Sequence, residues 1–210
     1  MSKVAKSITW AVIGTLLLIL LLGGGCTACS TYNSLVSQQE DVDKAWGNVE
    51  NQYQRRADLI PNLVASVKGY AAHEATTFEA VTDARAGLGS ALEAVNRLNA
   101  DSASYSPQAM TAYTQAQQKL QSALGVYVNA VREAYPDLKA NENFMSLQDE
   151  LAGTENRIST ERTRYNESVK GYNVNVRRFP NNIFAGMFGF STREMFAAEE
   201  GAQHAPKVEF

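Results

Sequence analysis

The stretch that decides the fold is Arg55-Arg56-Ala57-Asp58-Leu59-Ile60-Pro61-Asn62-Leu63-Val64. It lies within the longest region that carries a helical hydrophobic pattern. Pro61 has no N–H, and its ring clashes with the carbonyl four residues earlier, so it fits a first turn or a kink better than a helix interior. Asp58 has the side chain of a helix N-cap. The stretch therefore predicts a turn between two antiparallel helices, with a kink in one long helix as the alternative.

The pattern before this stretch predicts an amphipathic helix. Seven residues recur at alternating spacings of four and three, which is a heptad seam. They are Leu35, Gln39, Val42, Trp46, Val49, Tyr53 and Arg56. Gln39 and Arg56 are its polar members. A polar residue in a seam can specify helix register, or it can reach solvent at the edge of the seam.

Three later segments have the periodicity of helices that face a core. Ser106 and Pro107 mark the start of one of them, as a cap followed by proline at the first helical position. Gly87-Leu88-Gly89 and the polar residues 100–106 interrupt the pattern. The sequence therefore predicts an all-α fold, an antiparallel up-and-down four-helix bundle within residues 30–179. Its helices are expected over residues 30–56, 59–86, 107–135 and 141–178.

The N-terminal residues predict a membrane anchor. Residues 1–7 carry two lysines, and residues 8–25 carry no charge, with an apolar character that extends to Cys29. As a helix this stretch rises about 27–33 Å, enough to cross a bilayer core of about 30 Å. A transmembrane helix over residues 8–29 is expected, with a cleaved signal peptide as the alternative. Since acidic residues follow the span, the N-terminus is expected in the cytoplasm and the bundle outside it.

Cys26 and Cys29 close this apolar stretch. Cys26 follows three glycines, so lipid attachment at Cys26 stays open. The two-residue gap between the cysteines also occurs in redox and metal pairs. No third cysteine exists to complete a zinc site, and no strand–helix pattern of a redox protein surrounds the pair. Cysteines without a specific role at the membrane interface are the favoured interpretation.

Residues 180–196 form an aromatic, glycine-containing segment without a clean helical period. If the first helix leaves the membrane, the fourth helix of an up-and-down bundle returns toward it. The segment would then lie near the bilayer surface, where aromatic side chains are favoured. Its membrane-contact candidates are Ile183, Phe184, Phe188 and Phe190. The competing interpretation is a hydrophobic lid on the bundle, and residues 197–210 are expected to form a polar, mobile tail.

Composition and motifs predict a protein without catalysis. The net charge of −3 and a pI near 5.5 give no reason to expect nucleic acid as a partner. Of two histidines, His204 lies in the tail, and His73, alone on a mostly apolar helix, is interpreted as structural. No metalloprotease, phosphate-binding, nucleophile-elbow or dinucleotide motif occurs. We therefore predict no catalytic, cofactor-binding or metal site.

Several short motifs occur together along the chain. They are residues 55–64 as quoted above, Val67-Lys68-Gly69-Tyr70, His73-Glu74, Ala84-Arg85-Ala86, Tyr32-Asn33-Ser34-Leu35-Val36, residues 151–158, Tyr165-Asn166, Tyr172-Asn173 and Phe179-Pro180. Taken together, these motifs resemble the signature of the LemA family. The resemblance covers residues 32 to about 196. It implies a bacterial helical bundle anchored in the membrane, here the inner membrane, and implies no defined molecular activity.

Polar residues of these motifs are predicted to act structurally. The candidates on the first two helices are Arg55, Arg56, Asp58, Pro61, Asn62, His73, Glu74 and Arg85, and those on the fourth are Glu150, Glu155, Asn156, Arg157, Tyr165 and Tyr172. In an antiparallel bundle the charged members could meet as interhelical ion pairs, which fix helix register or present a docking surface. Tyr-Asn-x-x-Val occurs at Tyr32, Tyr165 and Tyr172, and each tyrosine hydroxyl needs a partner when its ring is buried.

These features predict a membrane-tethered, non-enzymatic helical scaffold or adaptor of the bacterial cell envelope. Its expected partners are the lipid bilayer and other membrane or envelope proteins, with a homo-oligomer as an open possibility. One alternative is a ligand-binding or sensor module that uses a pocket near Tyr165 and Tyr172. The other is a membrane-remodelling protein that inserts residues 183–190.

Overall fold

The computed structural model describes residues 3–71, 79–101 and 107–196, with most side chains of residues 3–26 outside the description. Every regular element in these ranges is a helix. They are α1 (Lys3–Ala71), α2 (Glu79–Asp101), α3 (Pro107–Ala134), a 3₁₀ helix (Pro136–Ala140), α4 (Glu142–Arg177) and α5 (Asn181–Phe188). The predicted all-α fold class is confirmed for this part of the chain.

Helix α1 runs through Pro61, so the turn predicted in the stretch 55–64 is wrong, and the single long helix of the alternative is what forms there. Asp58 is not an N-cap but lies inside the helix, where its carboxylate accepts a hydrogen bond from Gln54 Nε2 at 2.7 Å. A proline inside a helix costs about 3 kcal/mol. Ile60 and Leu63 beside it are 2% and 0% exposed, and burying such side chains contributes about 1.5–3 kcal/mol each. Burial on both sides therefore outweighs the missing backbone hydrogen bond.

The second predicted helix, residues 59–86, is described in two parts. Helix α1 covers it to Ala71 and α2 covers it from Glu79, while residues 72–78 lie outside the described residues, so its continuity stays a prediction. His73 and Glu74 lie outside the described residues, as do residues 102–106 and 197–210. The interruption expected at Gly87-Leu88-Gly89 is wrong, because α2 continues through it and Leu88 is fully buried. A glycine in a helix costs only about 1 kcal/mol, which the burial of Leu88 offsets.

The predicted transmembrane anchor is not shown. Among the residues that the structure describes, no helix combines the length and the apolar character needed to cross a bilayer. Residues 8–29 belong to α1, and most of their side chains lie outside the description. The anchor over residues 8–29 stays a prediction, and so does its orientation.

The chain divides into two compact units. The central unit is Trp46–Thr163, and the terminal unit combines Met1–Ala45 with Arg164–Phe210. In the central unit, α1 and α3 run parallel, because Tyr53 packs on Tyr113 and Tyr70 packs on Tyr135, with ring centroids 5.7 and 5.9 Å apart. Helix α2 packs against α3. A parallel first and third helix is the order that an up-and-down arrangement requires.

Apolar side chains from all four helices fill the core of the central unit. The buried apolar residues include Val49, Tyr53, Ile60, Leu63 and Val67 of α1, Leu88 and Val95 of α2, Leu120, Tyr127 and Val131 of α3, and Phe144, Leu151 and Ile158 of α4. The heptad seam of α1 therefore faces inward, as its spacing predicts.

The terminal unit contains α5, which the sequence pattern did not predict. Residues 181–188 form this helix, and Gly189 ends it in the left-handed conformation with φ of 79°. The Phe190 N–H donates to the Ala185 carbonyl at 2.9 Å. A residue with a Cβ is strained at this φ, so glycine is the residue suited to this helix end. After Gly189 the chain leaves the helix, and residues 190–196 lie beside α4.

Candidate functional site

The candidate site of the central unit is built around a buried arginine. Arg56 occupies the last position of the heptad seam, and the helix therefore turns it toward the core. Only 1% of Arg56 is exposed, although arginine is among the residue types least often buried. A fully buried guanidinium needs partners for its charge and for its five N–H groups.

Two helices supply those partners. The Nη1 group of Arg56 donates to Glu155 Oε1 of α4 at 2.9 Å. The Nη2 group donates to Gln117 of α3, to the side-chain Oε1 at 2.5 Å and to the backbone carbonyl at 3.1 Å. The guanidinium carbon also lies 5.3 Å from the ring centroid of Tyr53. One side chain of α1 thus binds α3 and α4 at the same level, which is a geometry that fixes their relative register.

The network is buried at one end and open at the other. Glu155 is 28% exposed, so its carboxylate reaches water while the guanidinium does not. Among the described atoms, Arg56 Nε and Gln117 Nε2 are buried without a hydrogen-bond partner. A buried unpaired donor costs about 1–3 kcal/mol. The net contribution of the network to stability is therefore expected to be small, as is usual for buried ion pairs.

Buried tyrosines surround this network. Burial raises the pKa of the Tyr53 phenol, and the charges of Arg162 and Arg56 partly offset that effect. Burial raises the pKa of Tyr113 to about 12, and its contact with Gln117 partly offsets that rise. Both phenols are therefore neutral near pH 7. A neutral, buried hydroxyl hydrogen bonds and packs, but it is not a base.

The adjacent Arg55 has a different environment. It is exposed and lines an open surface groove of about 560 Å³ together with residues of α4. The groove also contains Glu142, Met145, Ser146, Asp149, Glu150, Gly153 and Arg157. It carries both signs of charge, with Arg55 and Arg157 opposite in sign to the carboxylates. Adjacent arginines therefore lie in two different environments, Arg56 buried between helices and Arg55 exposed in a charged groove.

Of the charged candidates, the structure brings Arg56 and Glu155 together. Asp58, Pro61, Asn62, Arg85 and Asn156 are exposed. Arg157 Nη2 donates to Thr154 Oγ1 of its own helix at 3.3 Å. Within the described ranges, no group of three histidine, cysteine or acidic side chains has the geometry to hold a metal ion.

Gln117 was not among the predicted site candidates, although it contacts Arg56, and Thr154 is a second buried polar residue outside that set. They are 2% and 0% exposed, and Thr154 Oγ1 donates to the Glu150 carbonyl at 2.7 Å. Gln117 lies on the inward face of α3, between Tyr113 and Leu120. A polar residue at an inward position is a signal of a buried partner, and here that partner is Arg56.

The terminal unit holds the two later tyrosine candidates. Tyr165 is 3% exposed and Tyr172 is 1% exposed. The Tyr165 hydroxyl donates to the Glu194 carbonyl at 3.0 Å, and the Phe196 ring packs on the Tyr165 ring at 5.2 Å. Burial raises the pKa of Tyr165 to about 12 and also raises the pKa of Tyr172. Residues 194–196 of the chain itself therefore lie where a ligand pocket was expected beside Tyr165.

The membrane-contact candidates lie around α5. Ile183 and Phe188 are 52% and 44% exposed, whereas Phe184 and Phe190 are half-buried. Phe188 and Phe190 both contact Tyr32 edge to face, with ring centroids 5.1 and 5.6 Å away. Two exposed apolar residues nearby were missed by the sequence analysis, Phe179 at 76% and Met187 at 72%.

These features define a class: an all-α protein whose helices are tied by buried polar contacts. Residues 45–210 match the LemA family, and the chain belongs to that family. It is 31% identical over 185 residues to the magnetosome protein MamQ 2 of Paramagnetospirillum magneticum and 30% identical to MamQ of Magnetospirillum gryphiswaldense. Each match covers 81% of this chain and 66% of the relative, slightly under two thirds of its length. Protein LemA of Metamycoplasma hominis is 24% identical over 80% of this chain and 69% of its own length.

Proposed function

We propose that this chain is a membrane-tethered, non-enzymatic helical scaffold of the bacterial cell envelope. Residues 8–29 form its anchor, the N-terminus lies in the cytoplasm, and the helical part lies outside it. One observation carries the proposal. Phe188 of α5 and the following Phe190 pack on the ring of Tyr32, three residues after the proposed anchor ends.

The contacts of Tyr32 support a membrane-surface position for α5. Phe188 and Phe190 pack on its ring, and the Thr31 hydroxyl donates to Asn181 Oδ1 at 3.3 Å. A helix that emerges from a bilayer at Cys29 would therefore hold α5 within a few residues of the surface. Aromatic side chains are favoured at that depth.

The exposed residues around α5 have the chemistry of an interfacial segment. Phe179, Ile183 and Met187 each expose half or more of their surface. Arg177 and Arg178 are exposed beside them, and each basic residue near an anionic membrane contributes about 1 kcal/mol. Apolar residues with flanking arginines suit the boundary between acyl chains and anionic headgroups.

The central unit supplies the rigid body of the scaffold. We propose that it is a closed up-and-down four-helix bundle in which Arg56 sets the register of α1 against α3 and α4. The charged groove lined by Arg55 and Arg157 then serves as a docking surface for envelope partners. Catalysis has no part in this proposal.

Thiol labelling in intact cells tests the tether and its orientation together. In the full-length Cys26→Ser, Cys29→Ser chain, Asn62→Cys places a thiol at an exposed position of the central unit. A membrane-impermeant reagent is expected to label it once any outer membrane is permeabilised. The matched Ser2→Cys chain, on the other side of the proposed anchor, is expected to react only after lysis. Protection of Asn62→Cys, or recovery of the chain without membranes, would overturn the proposal.

A further inference from the structure

A second set of polar contacts lies on α4, in the terminal unit. Asn173 Nδ2 donates to the Arg193 carbonyl at 2.8 Å, and the Arg193 N–H donates to Asn173 Oδ1 at 2.8 Å. Asn166 repeats the arrangement, since its Nδ2 donates to the Phe196 carbonyl at 3.1 Å and its Oδ1 accepts from the Phe196 N–H at 2.8 Å. Each amide therefore binds both main-chain groups of one residue.

The spacing of these amides fits an extended peptide. Asn166 and Asn173 are seven residues apart, about 10.5 Å along a helix. Arg193 and Phe196 are three residues apart, about 9–10 Å in an extended chain. The distance between the two asparagines therefore matches the distance between the two residues that they bind, and the segment runs antiparallel to α4. We use the name amide ladder for Asn166 and Asn173 together with Tyr165, whose hydroxyl bonds the same segment.

The ladder recognises its segment mainly through the main chain. The four amide hydrogen bonds involve only backbone groups of the segment, and the Tyr165 hydroxyl bonds the Glu194 carbonyl. Side-chain contacts include the Phe196 ring on Tyr165 and an Arg193–Asp43 ion pair at 3.6 Å. Main-chain hydrogen bonds supply affinity and side-chain contacts supply specificity in recognition of extended peptides.

We propose that the amide ladder is a peptide-binding site that takes residues 193–196 of a second copy of this chain. The chain's own segment occupies the site in the closed form. The second copy is the partner of choice because its sequence fits the ladder, as the closed form demonstrates. An exchanged segment forms the same contacts as the original one, so exchange between identical chains costs little energy.

The connection to α5 allows such an exchange. Gly189 has a left-handed backbone conformation, with φ of 79°, which glycine adopts without strain. Residues 190–192 separate it from Arg193, the first residue bound by the ladder. A change of φ and ψ at Gly189 would redirect the segment, at the cost of the Phe190 N–H bond to the Ala185 carbonyl and of the Phe190 contact with Tyr32. The attached segment competes at an effective concentration of roughly millimolar, so exchange requires crowding or a weakened segment. This inference does not depend on a membrane anchor.

Complementation between two full-length variants tests the proposal. Asn166→Ala, Asn173→Ala removes the ladder and keeps the segment. Arg193→Pro, Phe196→Ala removes an N–H donor and the packed ring from the segment and keeps the ladder. Energy transfer between labels on the two variants in detergent is expected to rise at least tenfold above that of either variant with itself. An equal signal in the mixture and in the separate variants would overturn the proposal.

A matched control and a measurement on the unaltered chain complete the test. Thr192→Pro, Met195→Ala makes the same kinds of change at exposed neighbours and is expected to give no complementation with the segment variant beyond that of the wild type. If a variant loses its helical circular dichroism, the wild-type chain decides. Excess acetylated and amidated peptide of residues 190–196 is expected to speed hydrogen exchange at the Arg193 and Phe196 amides. Unchanged hydrogen exchange at these amides, at a saturating peptide concentration, would refute the proposed exchange of the segment between chains.

Discussion

Arg56 Nη1 and Glu155 Oε1 lie 2.9 Å apart although 99 residues separate them in the sequence. This pair connects the first long helix of the central unit to the last one. Because Arg56 also binds Gln117, the contact holds three helices at one level. A register shift of one helical residue moves a side chain about 1.5 Å along the axis and about 100° around it, which would break these contacts. We therefore propose that the pair specifies helix alignment, and the two predictions that follow test its contribution.

Removing one partner of this pair is expected to destabilise the protein. Glu155→Ala leaves the Arg56 guanidinium buried with Gln117 alone. For buried pairs this costs about 3–5 kcal/mol, and since Glu155 is 28% exposed we expect about 2 kcal/mol. Urea unfolding of the full-length chain in detergent measures the change. The control, Asp58→Ala at an exposed site of α1, is expected to cost under about 0.5 kcal/mol, and equal costs for both variants would contradict the structure.

Replacing both partners by apolar residues is expected to cost less than replacing Glu155 alone. Arg56→Met, Glu155→Leu removes the buried charge and the unpaired Nε donor of Arg56 at once. Apolar replacements of buried ion pairs are often neutral or stabilising. A double-mutant cycle by urea unfolding is expected to show coupling above about 1 kcal/mol. Strict additivity of the two single changes would show that the pair contributes nothing specific.

Pro61→Ala is expected to stabilise α1. Pro61 is exposed inside a continuous helix, so alanine removes no packing and restores an N–H toward the Ala57 carbonyl. We expect a gain of about 1–3 kcal/mol in unfolding free energy, seen as a higher Tm. Asn62→Ala, at the next exposed position, is the control and is expected to change stability by under about 0.5 kcal/mol. A loss of stability on Pro61→Ala would contradict this expectation and would indicate that Pro61 stabilises the folded chain.

Stability is expected to fall as the pH rises from 10 to 12. The pKa of Tyr113 and that of Tyr165 are raised by burial to about 12, from 10 in an unfolded chain. Between these values the unfolded state has lost phenolic protons that the folded state retains, so unfolding is favoured with rising pH. Tyr113→Phe is expected to flatten this dependence in urea unfolding at several pH values. Tyr32→Phe, a change at an exposed ring, is the control, and equal slopes for all three chains would refute the prediction.

Residues around α5 are expected to contact lipid in nanodiscs. A fluorophore on Met187→Cys, in the Cys26→Ser, Cys29→Ser chain, is expected to be quenched by lipids that carry a quencher near the headgroup. Glu40→Cys is the control, because Glu40 is exposed on α1 and lies about 12 Å from Tyr32 along the helix. Equal quenching at both positions would favour the interpretation of α5 as a lid on the helices.

The inward face of α1 could be predicted from the sequence. The heptad spacing that ends in Tyr53 and Arg56 places these side chains on one side of a helix, and both are buried. Periodicity depends only on residues that are near one another in the sequence, so it can be recognised without knowledge of the fold. The all-α class and the inward position of Arg56 follow from it.

Helix boundaries could not be predicted in the same way. Pro61 and the two glycines around Leu88 are local signals for breaks, yet α1 and α2 continue through them. The local costs are about 1–3 kcal/mol, and burial of Ile60, Leu63 and Leu88 outweighs them. Propensity describes the isolated segment, whereas burial depends on which other helix covers it.

The sequence by itself determined that this chain is helical, which helix faces are apolar, and that its motifs resemble those of the LemA family. Each of these properties can be read from residues that are close together in the sequence. Only the tertiary structure decided that Arg56 binds Gln117 and Glu155, and that Asn166 and Asn173 bind the backbone of residues 193 and 196. Backbone groups are the same in every residue and carry no sequence signature. Partners of that kind are chosen by distance in the folded chain.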